Sequence, residues 1–244
     1  MDRFSDIKQG FSQIFSDRHW LWKILLGGCL LINPLLLILA PHVFNPAAAS
    51  GAKLAFGLAL LFNLLSFWFP LGFTFEVLRR ARFGNARQLP DWRRDLLLRY
   101  AREGAAKLVI AIGTVLLPAA LWTSLAHAIF VCTFHLPPAL LKDLSIPIFS
   151  LVIPFCGVGC CRWLDGAPVL DCAFNYTLNL EIFLRRWQDF LIASIFISGV
   201  QNLAASFYYT LPFAVVFSLC VVDTWFGPTY AEIASKQQEL TPRV

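Results

Sequence analysis

Charge is scarce in this sequence. Lys, Arg, Asp and Glu make up 14% of its 244 residues, against about 25% in a soluble domain. A chain so poor in charge has no means of covering a large surface in water. Signatures of nucleotide, dinucleotide, zinc-protease or serine-hydrolase chemistry are missing too. There is no phosphate loop, Rossmann glycine pattern, His-Glu-x-x-His run or Gly-x-Ser-x-Gly elbow. Seven cysteines, an odd number lying mostly inside apolar runs, do not form the disulfide framework of a small secreted domain. Buried cysteine behaves as a small hydrophobe, and packing is the reading taken for most of them.

What the chain has in excess is apolar surface. Hydrophobic residues reach 58% and the mean hydropathy is +0.65. One soluble core of this size cannot bury that excess without leaving large apolar patches, whereas lipid solvates it directly. The expected fold class is therefore all-α: a polytopic transmembrane helical bundle with amphipathic interfacial helices on the cytoplasmic side. About 20 mostly apolar residues cross the hydrocarbon as a helix. Six stretches qualify: 24–44, 54–78, 108–130, 146–163, 190–209 and 211–230. A β-barrel, the other way to satisfy every backbone group in lipid, would show two-residue alternation in segments of about ten. These runs are longer and apolar on all sides. The last two boundaries are the weakest, because Gln201, Asn202 and Pro212 interrupt a region that could be one long span.

Basic residues set the orientation. Of the 20 Lys and Arg residues, only Lys53 and Lys142 fall in the first two outer loops. The positive-inside rule then places both termini in the cytoplasm. The expected location is the cell inner (plasma) membrane. The chain divides into an interfacial segment at 1–20, a six-helix domain at 21–232 with cytoplasmic loops at 79–107 and 164–188, and a cytoplasmic tail at 233–244. A signal peptide ending near Ala47-Ala48-Ala49 is the competing reading of the first span. The long, acidic lead with Asp2, Asp6 and Asp17 argues against it.

Three segments look built for the membrane surface. Phe4, Ile7, Phe11, Ile14 and Phe15 recur at helical spacing opposite a polar face, the pattern of an interfacial helix. Loop 79–107 carries nine basic and three acidic residues, a net +6 that exceeds the +5 of the whole chain. Anionic lipid is attracted to such a cluster by about 1 kcal/mol for each Lys or Arg near the surface. A purely topological role with no specific ligand is the reading favoured for the cluster over a dedicated lipid site. Within it, Leu89-Pro90-Asp91-Trp92 punctuates the chain. Pro90 stops a helix from upstream, Asp91 is placed to cap the next, and Trp92, Leu96 and Tyr100 share a face. In 164–188, Leu180, Phe183, Leu184 and Trp187 form a stripe away from Glu181, Arg185 and Arg186.

Gly72-Phe73, Val77-Leu78-Arg79, Gly84, Leu89-Pro90-Asp91-Trp92 and Glu103-Gly104 resemble the characteristic region of a prokaryotic membrane family catalogued as domain of unknown function 4013. Ala173-Phe174, Leu184-Arg185 and Asp189-Phe190 resemble its second cytoplasmic segment. The chain departs from it in having Arg93-Arg94-Asp95 where the family tends to be acidic, and it lacks the family's glycine-containing ending. The resemblance implies a polytopic helical membrane protein of prokaryotic origin. It supplies no activity, substrate or catalytic residue.

Candidates for chemistry are few. Cys156, Cys160 and Cys161 with Cys172 form the one dense thiol cluster, but a tetrahedral metal site needs four convergent ligands. On a helix Cys156 and Cys160 share a face while Cys161 turns away. No metal and no cofactor are expected. His127 and His135, near the outer end of the third span, have no carboxylate beside them and read as interfacial or hydrogen-bonded. Asp223, within the last apolar run, is a functional candidate by default, with Asn33, Asn63 and Glu76 as possible polar company. The reading favoured for it is a position near the interface. Arg79, Arg80, Arg82, Arg93, Arg94 and Trp92 are the candidate lipid or partner surface. Asn63, Glu76 and Asp223 are the polar intramembrane candidates. The leading expectation is a non-enzymatic subunit that binds partners or organises membrane lipid. It is expected to engage lipid, anionic lipid in particular, and protein partners in a membrane complex, but not nucleic acid. A small transporter or channel with a polar path near Asn63 and Asp223 comes second. An enzyme comes last.

Overall fold

The computed structural model describes residues 3–43, 50–84, 88–135, 137 and 152–240, and among them the chain is helical with no strand. The helices are α1 (Arg3–Ser16), α2 (Trp20–Leu31), α3 (Pro34–Val43), α4 (Ser50–Ser66), α5 (Trp68–Arg82), α6 (Arg94–Ala111) and α7 (Leu117–Ala126). They continue with α8 (Val152–Leu164), α9 (Val169–Phe174), α10 (Tyr176–Arg185), α11 (Trp187–Ala205) and α12 (Leu211–Leu240).

Three continuous helical stretches are long and apolar enough to cross a membrane: Ser50–Arg82 (33 residues), Arg94–Thr133 (40 residues) and Leu211–Ser235 (25 residues). The first joins α4 to α5. The second runs from α6 through a π-helical segment (Ile112–Leu116) into α7 and a second one (His127–Thr133). A fourth crossing is made if α2 and α3, bent by 48° between Leu31 and Pro34, act as one span. The expected fourth span survives as the short apolar α8. Its first residues, together with Lys142, lie outside the described residues, as do Ala47-Ala48-Ala49 and Arg87. α11, at 19 residues, is less apolar than the three because Gln188, Asp189, Gln201 and Asn202 sit near its ends. The last pair is two helices: α11 stops at Ala205, a 3-10 turn covers Tyr208–Thr210, and Pro212 falls in the first turn of α12, where its missing N–H costs nothing.

The bend between α2 and α3 follows from Pro34, which has no N–H and pushes the residue before it out of the helical region. The groups freed by the break are met by α4. Asn33 N–H donates to Asn63 Oδ1 (2.5 Å), Asn63 Nδ2 donates to the Leu31 carbonyl (3.1 Å), and Ser66 Oγ donates to the Leu30 carbonyl (2.9 Å).

Two packed clusters form the interior. One gathers Phe75, Leu78, Ile110, Val158, Phe190, Val222 and Phe226 from α5, α6, α8, α11 and α12. The other gathers Ile14, Ile24, Phe73, Val77, Tyr100 and Val216 from α1, α2, α5, α6 and α12. α5, α6 and α12 belong to both and form the centre of the bundle. Between helices in lipid, association rests on close packing rather than escape from water. α5 and α6 achieve it through reciprocal glycines. A Cβ on Gly72 would overlap the Tyr100 backbone, and one on Gly104 the Trp68 carbonyl.

Several expectations change in detail. α1 is not simply laid on a membrane. Ile14 is fully buried, Phe11 meets Phe196 edge-on (5.5 Å) and lies against Phe217 (5.9 Å), and Gly10 abuts Val221 of α12. Its stripe is thus largely spent on α12. Phe15 stays exposed, and the side chains of Phe4 and Ile7 lie outside those described. Asp91 does not cap α6, which starts at Arg94 with no side-chain cap; its carboxylate is drawn instead to Lys23 at 2.6 Å. Half of the charged loop is the first turns of α6. The expected tail at 233–244 is helical as far as Leu240, and 241–244 lie outside the described residues.

Candidate functional site

Charged side chains meet where α5 ends and α6 begins. Glu76, Arg79 and Arg80 are three and four residues apart, and so are neighbours on one helix face. Arg99 and Glu103 repeat the spacing on α6. The antiparallel glycine contact brings the two faces together. Glu76 Oε2 accepts from Arg79 (2.7 Å) and Arg99 (2.5 Å), and Glu103 Oε1 is paired with Arg79 (2.5 Å) and Arg99 (2.9 Å). Arg80 reaches Glu76 Oε1 at 3.4 Å. Three guanidinium groups against two carboxylates leave one net positive charge. Beside this network opens a cleft of about 710 Å³, lined by Arg79, Asp95, Leu98, Arg99, Arg102, Glu103 and Trp163.

Deeper in the bundle, Lys107 Nζ bonds to Asp223 Oδ2 (2.6 Å) and Thr74 Oγ1 (2.9 Å), tying α6, α12 and α5. Lys107 is 5% exposed and Asp223 3%. Asp223 therefore faces the bundle interior with a dedicated counter-charge. A buried charge of this kind is tolerated only when paired.

A third junction centres on Lys23. Its ammonium bonds to Asp17 (2.7 Å), Asp91 (2.6 Å) and the Leu89 carbonyl (3.1 Å), using all three of its donors. Burial disfavours the Asp17 carboxylate. The Lys23 ammonium and the His19 backbone N–H (2.8 Å) outweigh that and hold the Asp17 carboxyl below the usual range. Trp92 stacks flat on Phe73 (4.6 Å) and donates to the Lys23 carbonyl (3.1 Å). It serves as an internal clamp on α2 and α5 rather than a free interfacial ring.

The remaining inter-element pairs lie at the same end of the bundle. Arg82 meets Asp165 (3.3 Å) beyond α8 and lies over the Tyr230 ring of α12 (5.5 Å). Arg186 pairs with Asp189 (3.2 Å) and with Glu232. Arg162 is held by Asp171 and by Asn179 Oδ1 (2.8 Å), which fixes α9 and α10 against α8. Of the expected stripe, Leu180 and Leu184 of α10 and Trp187 at the start of α11 stay exposed, while Phe183 stacks on Phe155 (5.0 Å) and Phe190 (5.8 Å) and Ile182 turns inward.

Of the predicted site residues, Arg79, Arg80 and Glu76 join one network, Arg82 a neighbouring one, and Arg93 and Arg94 project outward. Among the described residues Arg93 pairs with exposed Asp95 (3.1 Å). Asn63, Glu76 and Asp223 are not brought together. Asn63 mends the α2–α3 break, Glu76 holds arginines, and Asp223 holds Lys107. Sequence reading missed Lys23, Lys107 and Arg162 as hubs. The i, i+4 spacing of Arg99 and Glu103 was a readable signal, whereas Lys107 and Asp223 stand 116 residues apart. Cys156 and Cys160 do share a face, with Sγ atoms 4.0 Å apart. Among the described residues no three metal-ligating side chains converge.

No protein-family model, curated protein or solved structure matches this chain.

Proposed function

We propose that the protein is a non-enzymatic, multi-pass subunit of the inner membrane that organises membrane lipid or binds partners through its cytoplasmic rim. In this reading the chain crosses six times. α8 with the residues before it and α11 complete the set begun by the three long stretches and the bent α2–α3 pair, and both termini are cytoplasmic. The kinship with domain of unknown function 4013 belongs to the same proposal. The observation that carries it is the one-sided placement of charge. Apart from Lys107–Asp223 deeper in the bundle, the ion pairs that join α2, α5, α6, α8, α11 and α12 lie toward the ends that the positive-inside rule assigns to the cytoplasm. Exposed leucines such as Leu54, Leu58, Leu61, Leu121 and Leu125 cover α4 and α7 at the other end. Exposed Arg94 and Arg102 are left without a carboxylate within ion-pair distance among the described residues, so the rim presents uncompensated positive charge.

The test is to change Arg93, Arg94 and Arg102 together to Gln. Retention on anionic vesicles and recovery of co-purifying proteins after mild extraction are then compared with the native chain. Weaker retention or lost partners is the expected outcome, and both unchanged would sink the proposal. A transport role is less well supported. Broken membrane helices serve transporters by offering freed backbone groups to substrate. Here Asn63 and Ser66 already take those groups.

A further inference from the structure

We infer that the cleft beside α6 is a binding site for one anionic phospholipid, with its phosphate held by Arg102 and Arg99. The inference rests on the membrane reading above and gives the rim a particular ligand.

Charge complementarity comes first. Among the lining side chains, Asp95 is engaged by Arg93, and Glu103 by Arg79 and Arg99. Arg102 is exposed and has no carboxylate within ion-pair distance among the described residues. Arg99 commits Nε and Nη2 to carboxylates, which leaves guanidinium donors to spare. Two guanidinium groups from one helix, three residues apart, give the fork geometry that phosphate oxygens accept.

The apolar part of the lining points to a lipid rather than a free anion. Leu98, 83% exposed, and Trp163, packed on Phe75 at 4.7 Å, border the same cleft. A soluble phosphate has no use for them, whereas a lipid headgroup brings carbon atoms of its own to pack there. The apolar run of the Arg94–Thr133 helix starts at Leu108, so the Arg102 backbone lies about 9 Å further along the axis at about 1.5 Å per residue. That is just beyond the headgroup layer, about 5–8 Å thick on each side of the hydrocarbon, and the long arginine side chain reaches back into it. The cleft volume also falls within the roughly 300–1,000 Å³ typical of small-molecule sites.

The experiment uses the full chain in mild detergent, with phosphatidylglycerol, phosphatidylcholine or inorganic phosphate added and bound species read by native mass spectrometry. Three chains are compared: native, Arg102→Glu and Arg94→Glu. Both arginines are exposed and without an ion-pair partner among the described residues, but of the two Arg102 lines the cleft. The native chain should retain one phosphatidylglycerol in preference to phosphatidylcholine. Arg102→Glu should lose at least roughly fivefold in that retention, and Arg94→Glu should stay within about twofold. Equal losses in both variants would overturn the cleft site while leaving the rim proposal standing. No preference for the anionic lipid in any chain would remove both. Displacement of the lipid by millimolar inorganic phosphate would show that a free anion, and not a lipid, is the ligand. Should Arg102→Glu fail to fold, Arg102→Gln against Arg94→Gln makes the same comparison.

Discussion

Lys107 and Asp223 form the most demanding contact in the molecule, because each is a charge removed from solvent whose neutral surroundings offer little else. Substituting Lys107→Met strands the Asp223 carboxylate and leaves Thr74 Oγ1 without its donor. Loss of one partner from a buried pair costs about 3–5 kcal/mol. Thermal unfolding in detergent should report that loss for either single variant. The double variant Lys107→Met with Asp223→Leu should recover much of it, since an apolar pair needs no counter-charge. A double variant as unstable as the sum of the singles would mean that the pair holds a wider polar network. Asp17 gives a pH-dependent counterpart. Its folded carboxyl titrates below the usual range, so the unfolded chain takes up the proton first. The stability it contributes is present above the ordinary aspartate value near pH 4 and is lost as pH falls through the folded value. Unfolding midpoints measured from pH 6 down to pH 3 should therefore fall more steeply for the native chain than for Asp17→Asn. Parallel curves would show that Lys23 is served well enough by Asp91 and Leu89 alone.

Elements pack by different means in different parts of the bundle. α5 and α6 touch through Gly72 and Gly104, so even a methyl group pushes backbone against backbone. Gly72→Ala should cost about 1–3 kcal/mol, as overpacking usually does. Gly57→Ala on α4, where an added Cβ meets nothing within 4 Å, should be neutral or slightly stabilising through helix propensity. Melting temperature in detergent separates the two, and similar values would contradict the close crossing. The sequence made α6 legible as a helix and, from Glu76, Arg79 and Arg80, a charged end to α5. It did not reveal that the two ends interlock, because glycine reports a close approach without naming what approaches. α1 shows the same limit. Its stripe of Phe11, Ile14 and Phe15 predicts a buried face equally well for lipid headgroups and for α12, and periodicity carries no label for the partner. The fate of Asp91 turned on Lys23, 68 positions away in the chain, so local capping rules could not anticipate it.

At the scale of the whole molecule, composition points to lipid as the solvent and charge placement to a direction, while the number of crossings depends on residues of mixed character. The Ser50–Arg82 helix has Lys53 at one end and Arg79, Arg80 and Arg82 at the other, and at about 1.5 Å per residue it reaches about 50 Å, more than the roughly 30 Å hydrocarbon core. Its two ends must therefore emerge on opposite faces if it spans. Gly51 and Arg94 are both exposed, and the proposed topology puts them on opposite sides. With Cys132, the exposed native cysteine, replaced by Ser, single Gly51→Cys and Arg94→Cys variants can be treated on intact cells with a membrane-impermeant maleimide. Gly51→Cys should label directly, and Arg94→Cys only after the cells are permeabilised. Labelling of both from outside would place the basic rim on the wrong face, and with it the ion pairs of α2, α5, α6, α8, α11 and α12 that the functional proposal assigns to the cytoplasm.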